Sequence, residues 1–113
     1  MWKLLFLPEA IKDLKQLDGS QQKLIKKALD KVITNPLPNT EGGYGKHLGN
    51  KNGNNLSNFL KVKLKGAGLR VVYQLIRTEK ELLIIVIGAR ADNEVYDLAK
   101  QRINKTNLEK WIL

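Results

Sequence analysis

The amino-acid sequence predicts a two-layer α+β domain, a helical hairpin packed on a small antiparallel sheet in the order β-α-α-β-β-β-α. Three observations carry that expectation. Leu24, Ile25, Ala28, Leu29, Val32 and Ile33 recur at the spacing of one helix face. Residues 60–65 alternate strictly between apolar and basic, the period of a strand with one buried face. Leu82 to Ile87 is apolar at every position, as a central strand covered on both sides would be. The 113 residues suit one such domain, residues 1–113, and are too few for two.

Residues 2–7 read as the first strand. Pro8 suits the first turn of a helix, where its absent N–H would lack a partner anyway, and Ala10, Ile11, Leu14 and Leu17 give that helix its apolar side. Asp18, Gly19 and Ser20 break it, and Asp18 or Ser20 caps the helix that follows. Two helices joined this tightly form an antiparallel hairpin. Lys23, Lys26, Lys27 and Lys31 fall mostly off the second apolar stripe and read as a solvated face that could also meet RNA phosphates. Asn35-Pro36-Leu37-Pro38 ends the helix. A long segment rich in Gly and Asn then runs to about Asn58, anchored by Tyr44, Leu48 and Leu56. A loop of this length in a compact domain is functional or mobile. Gly66-Ala67-Gly68 marks the turn between the lysine strand and a return strand, Leu69 to Ile76. After the apolar strand, a helix starting at Asp92 or a neighbour carries Val95, Leu98, Ala99 and Ile103. Leu108, Trp111 and Ile112 form a last helical turn, and Trp2 and Trp111 are core or partner-contact residues.

Twenty Lys and Arg face eleven Asp and Glu, a formal net charge of +9. On so small a body this selects polyanionic partners: nucleic acid, an acidic protein or an anionic membrane. No apolar run reaches the ~18 residues of a membrane span. The first seven residues meet Pro8 and Glu9 at once, so they read as a strand rather than a signal peptide. Cysteine is absent from the sequence, which leaves no disulfide and no thiolate metal site and fits a cytoplasmic protein.

The alternation puts Lys61, Lys63 and Lys65 on one face at a spacing of roughly 7 Å. Edge strands do use lysines against aggregation, but the return strand adds to the charge. A hairpin loop with an even number of residues pairs Lys65 with Arg70, Lys63 with Val72 and Lys61 with Gln74. It thereby buries Leu60, Val62 and Leu64 against Val71, Tyr73 and Leu75. An odd loop would mix charge into the core. The next strand ends at Gly88-Ala89-Arg90, delivering another guanidinium, and Tyr96 follows early on the last helix, off its apolar stripe. Such a cluster of cations calls for an anion, and RNA phosphate fits.

Residues 60–75, Leu-Lys-Val-Lys-Leu-Lys-Gly-Ala-Gly-Leu-Arg-Val-Val-Tyr-Gln-Leu, closely resemble the core of RelE-type messenger RNA interferases. So do Val86-Ile87-Gly88-Ala89-Arg90-Ala91-Asp92-Asn93-Glu94-Val95-Tyr96 and the later Lys100-Gln101-Arg102-Ile103. The likeness extends over residues 2–103. The chain departs from the family in its longer Gly/Asn-rich segment and in its extended tail. The resemblance implies the RelE-like fold and the toxin of a type II toxin–antitoxin pair, a metal-independent endoribonuclease without cofactor that cuts messenger RNA in the ribosomal A site. It places the active positions on Lys61, Lys63, Arg70, Arg90 and Tyr96. Lys65, Lys46, Lys51 and Arg102 are expected to add RNA contacts. The implied partners are a small acidic antitoxin, messenger RNA and ribosomal RNA, with operator DNA reached only through the antitoxin, and no membrane.

The ribose 2′-OH is RNA's own nucleophile, so the enzyme must take its proton, stabilise a dianionic phosphorane and help the 5′-oxygen leave. Lys63 is the candidate base: a free lysine, with pKa about 10.4, is a poor one, but cations at Lys61, Arg70 and Arg90 disfavour its charged form. Arg70 and Lys61 hold the phosphate. Arg90 lies at the leaving group and acts by charge, because a guanidinium barely gives up a proton. Tyr96 stacks on a base or orients the 2′-OH, or else simply packs on the sheet. The single histidine, His47, reads as an exposed loop residue. Rival readings are a ParE-like toxin of the same fold that poisons DNA gyrase, a non-enzymatic RNA-binding module, and an inactive toxin.

Overall fold

In a computed structural model, residues 2–48, 59–89 and 92–112 are described, the last helix by its backbone alone at 92–93 and 105–112. The elements are β1 (Lys3–Phe6), α1 (Pro8–Gln16), α2 (Gly19–Val32), β2 (Lys46–His47), β3 (Phe59–Leu64), β4 (Leu69–Ile76), β5 (Glu81–Gly88) and α3 (Asp92–Ile112), with single 3-10 turns at Asn39–Glu41 and Arg77–Glu79. The strands form one sheet in the order β1-β5-β4-β3-β2. The α+β class and the helical hairpin stand. The sheet, however, is mixed rather than antiparallel, because β1 runs parallel to β5. It also gains the two-residue strand β2, antiparallel to β3, inside the segment read as loop. The tail is not a separate last turn: α3 runs unbroken to Ile112.

Local chemistry explains the helix boundaries. Pro8 opens α1, and Asp18 takes the cap of α2 in a reciprocal box. The Gln21 N–H donates to the Asp18 carboxylate at 2.8 Å, and the Asp18 N–H donates to the Gln21 side chain at 3.2 Å. The Ser20 hydroxyl supports the cap with a bond of 2.7 Å to the same carboxylate. These donors hold the Asp18 carboxyl below its usual range.

The β3–β4 register differs from the expected one by two residues: Lys63 lies opposite Arg70, Lys61 opposite Val72 and Leu64 opposite Leu69. Gly68 is the reason. It adopts φ +66, a left-handed conformation cheap only for glycine. The loop is therefore Lys65–Gly68, whereas the expected register would have ended it on Leu69. A shift of two leaves every side chain on its expected face. Leu60, Val62 and Leu64 meet Tyr73, Val71 and Leu69, and Ile25, Leu29 and Val32 of α2 are buried in the same core.

Strands β4 and β5 are covered on both faces, as the unbroken apolar run of β5 predicts: Val71, Val72 and each residue from Ile84 to Ile87 are at most 2% exposed. Val72 and Val86 lie opposite each other on the lysine face. That face is therefore covered over β4 and β5, the strand against which α3 packs, and opens towards β3 and β2.

β5 outruns its neighbour. The β1 pairing ends at Phe6 and Ile84, and between Val72 and Tyr73 the register with β4 shifts so that Ile85 is an extra residue on β5. Beyond the bulge, the groups turned towards the vacant side are met by side chains. Arg102 of α3 donates to the Ile85 carbonyl at 2.6 Å and to Asp13 of α1 at 2.7 and 3.2 Å, while Asp13 accepts the Ile87 N–H at 3.0 Å. An ion pair only 12% and 11% exposed thus replaces a strand and joins α1, β5 and α3. Among the described residues no helix is long and apolar enough to cross a membrane.

Candidate active site on the lysine strand

Two cross-strand rows build the site. In one, Lys63, Arg70 and Gly88 lie side by side on β3, β4 and β5. In the other, Lys46, Lys61, Val72 and Val86 do so from β2 to β5. Directly opposed side chains on one face have Cβ atoms about 5 Å apart. Lys46, Lys61, Lys63 and Arg70 therefore form one cationic cluster where the covered part of the face ends. Lys63 and Lys46 are exposed, while Lys61 and Arg70 are half-buried with their stems against the sheet.

An open depression of about 460 Å³ lies at the turn end of the first row. Lys63, Lys65, Gly68, Arg70 and Ala89 are among the residues lining it. Lys65 sits in the turn rather than on the strand. Arg90 lies outside the described residues; the residue before it in the sequence, Ala89, borders the depression. Lys51 also lies outside the described residues.

Tyr96 stands about one turn into α3, half-buried and packed against the core. Its hydroxyl is enclosed and has no hydrogen-bond partner among the described residues. The ring packs against the core, and the hydroxyl is enclosed with it. His47 pairs with Leu60, so its parity turns it away from the cationic rows, and it is exposed.

Arg102 does not join this face: its guanidinium is committed to Asp13 and the Ile85 carbonyl. Read from the sequence, an arginine beside Lys100 and Gln101 looks like a solvated helix residue, because its carboxylate partner is 89 positions away. Tyr44 was also misread. It is not an anchor but 46% exposed, with the Lys31 ammonium 4.8 Å from its ring centre. Leu48 is the buried anchor, at 2% exposure, and Leu56 lies outside the described residues.

Residues 4–94 match the family model described as the ParE toxin of the type II toxin–antitoxin system, parDE. The chain belongs to the RelE/ParE family of type II toxins. It is similar to the mRNA interferase toxin RelE of Escherichia coli (strain K12), with 29% identity over 98 residues that cover 87% of this chain and 93% of that protein. The crystal structure of the isolated E. coli RelE toxin superposes with a TM-score of 0.66 at 28% identity, covering 91% of this chain and 99% of that one. The toxin in the intact E. coli RelBE toxin–antitoxin complex gives 0.64 at 25% identity, covering 80% of this chain and 99% of that one. These RelE/ParE relatives share the arrangement of three helices on a five-stranded mixed sheet.

Proposed function

We propose that this RelE/ParE toxin is a ribosome-dependent endoribonuclease that cleaves messenger RNA in the A site through attack of the ribose 2′-OH. The observation that carries the reading is the direct opposition of Lys63 and Arg70, with Lys61 two residues along β3 and Ala89, next to Arg90, on the same depression. Lys63 takes the 2′-OH proton. The 2′-oxygen then bonds to phosphorus, and Lys61 and Arg70 hold the phosphorane's oxygens through charge-assisted hydrogen bonds. The P–O5′ bond breaks, leaving a 2′,3′-cyclic phosphate and a 5′-oxygen that is protonated from water near Arg90. Tyr96, on the helix that packs against β5, is assigned to orienting the nucleotide through its half-buried ring, its hydroxyl being enclosed. Groups this weak as acids and bases gain from a substrate bent and held by the ribosome, so free RNA is cut slowly.

The likeness to a protein named as an mRNA interferase supports the reading. Lys46 and Lys65 extend the cationic face and are assigned to RNA, with Lys51 beside them in the sequence. An acidic antitoxin, partly disordered until bound, silences the toxin in the cytoplasm and carries the pair to operator DNA. A similar toxin chain is found in a toxin–antitoxin complex. One observation favours a second reading, poisoning of DNA gyrase: the matched family model bears the ParE name. Purified protein incubated with programmed ribosomes separates them. Cleavage of the A-site codon, much slower on the same RNA without ribosomes, is expected. Intact RNA in both, with DNA breaks when gyrase is supplied, sinks the interferase reading.

A further inference from the structure

The loop before the lysine strand holds an aromatic side chain in the open on a tightly fixed backbone. The Tyr44 N–H donates to the Asn35 carbonyl at 3.1 Å, Gly45 N–H to Leu37 at 3.1 Å, Gly43 N–H to Pro38 at 3.0 Å and Asn39 N–H to Gly45 at 2.6 Å. Both flanking residues must be glycine. A Cβ on Gly43 would overlap the Leu37 carbonyl, and one on Gly45 would overlap the Tyr73 hydroxyl. That hydroxyl is itself buried and donates to the Pro36 carbonyl at 2.6 Å. The chain is thus closed down on either side of Tyr44, yet the Tyr44 ring is 46% exposed.

Its surroundings are cationic on two sides. Lys31 places its ammonium 4.8 Å from the ring centre. It is the last of Lys23, Lys27 and Lys31, exposed and spaced four apart on α2, an arrangement that costs the helix some repulsion. In the other direction, Lys46 is two residues on and stands opposite Lys61 in the cationic row.

We infer that Tyr44 is a base-stacking platform for single-stranded RNA, taking the base of a nucleotide just outside the cationic rows as the strand turns around the β2 edge towards Lys31. The inference rests on the proposed RNA-cleaving function and adds a contact to it. A rigid backbone lets the ring stack without an ordering cost, and the flanking lysines take the phosphates on each side of the stacked base. Stacking is indifferent to which base is present, so Tyr44 contributes affinity and register rather than sequence choice. An acidic antitoxin is the rival occupant, and charge alone would serve it. It has less use for an upright aromatic ring whose face already carries a cation.

The test is fluorescence anisotropy of the full chain with an eight-nucleotide RNA methylated on every 2′-oxygen, which blocks cleavage, together with a set of the same RNA carrying one abasic position each. Tyr44→Ala is expected to weaken binding about tenfold, and Tyr44→Phe to bind like the original. One abasic position should bind the original chain as weakly as Tyr44→Ala does, with no further loss when the two are combined. Equal binding by Tyr44→Ala overturns the inference while RNA binding itself stands. So does loss with Tyr44→Phe, which would mean a hydroxyl contact, or loss confined to binding of the antitoxin. If the original chain does not bind this RNA at all, the inference falls, while the RNA-cleaving function is decided separately by cleavage on programmed ribosomes. Melting of Tyr44→Ala checks that the fold is kept.

Discussion

The two sides of the sheet use the same kinds of charged residue for opposite ends. Towards β1, where β5 outruns its partner strand, Arg102 and Asp13 are drawn into the protein and bond each other and the backbone. Towards β2, Lys46, Lys61, Lys63 and Arg70 stand side by side, and the register gives them valines and a glycine as cross-strand neighbours. The first arrangement completes a hydrogen-bond ladder that a bulge and a short strand leave unfinished. The second concentrates positive charge at the open end of a face. An arginine on its own therefore says little about function. Where it stands on the sheet matters, and Arg102 stands at the β5 edge, where Asp13 and the Ile85 carbonyl take its bonds.

The contrast breaks most visibly at the ion pair. Asp13→Ala leaves the Arg102 charge enclosed without its carboxylate and the Ile87 N–H without an acceptor, and should cost about 3–5 kcal/mol of stability. Chemical denaturation reads this directly, and a loss within about 0.5 kcal/mol, typical of surface substitutions, would mean the pair is not holding the β5 edge. Lys63→Ala should show the reverse pattern. Stability should hold within that surface range of about 0.5 kcal/mol. Cleavage on programmed ribosomes should fall by a factor of about 100 or more, the usual cost of removing one preorganised group at a reacting phosphate or carbonyl.

A smaller effect sharpens the picture of the β2 side. Burial pushes the Tyr73 phenol above its ordinary value of 10.0. The folded chain thus keeps a proton that the unfolded chain releases first. Its contribution is whole below about pH 10, the ordinary tyrosine value, and is lost as pH rises beyond it. Tyr73→Phe should remove that alkaline decline. It should also cost about 1 kcal/mol at neutral pH through the lost bond to Pro36. Denaturation curves at neutral and alkaline pH test both.

Much of this was legible in the sequence because strand parity survives errors of register. Lys61, Lys63 and Arg70 share a face whether the hairpin closes at Leu64–Leu69 or at Lys65–Arg70. The choice between these closures depends on the left-handed φ of Gly68, which spacing alone does not reveal. The unbroken apolar run of β5 announced a central strand, but nothing in the four residues of β1 announced parallel pairing, and a two-residue strand such as β2 has no period to read. At the site, the active positions came from a family pattern joined to parity. The ion pair of Arg102 is not announced by the sequence around it, because Asp13 is remote in the chain. Tyr44 was misassigned because an aromatic in a glycine-rich segment reads as an anchor, whereas the two glycines around it do the anchoring.

The reading of the cationic rows as a ribosome-dependent active centre is tested most directly by mapping messenger RNA 5′ ends in cells before and after brief induction of this toxin, beside a Lys63→Ala, Arg70→Ala version. New ends within translated frames, absent with the double substitution, are the predicted result. Arrested growth with no new ends, from the unaltered chain, would contradict it and turn attention to DNA breaks.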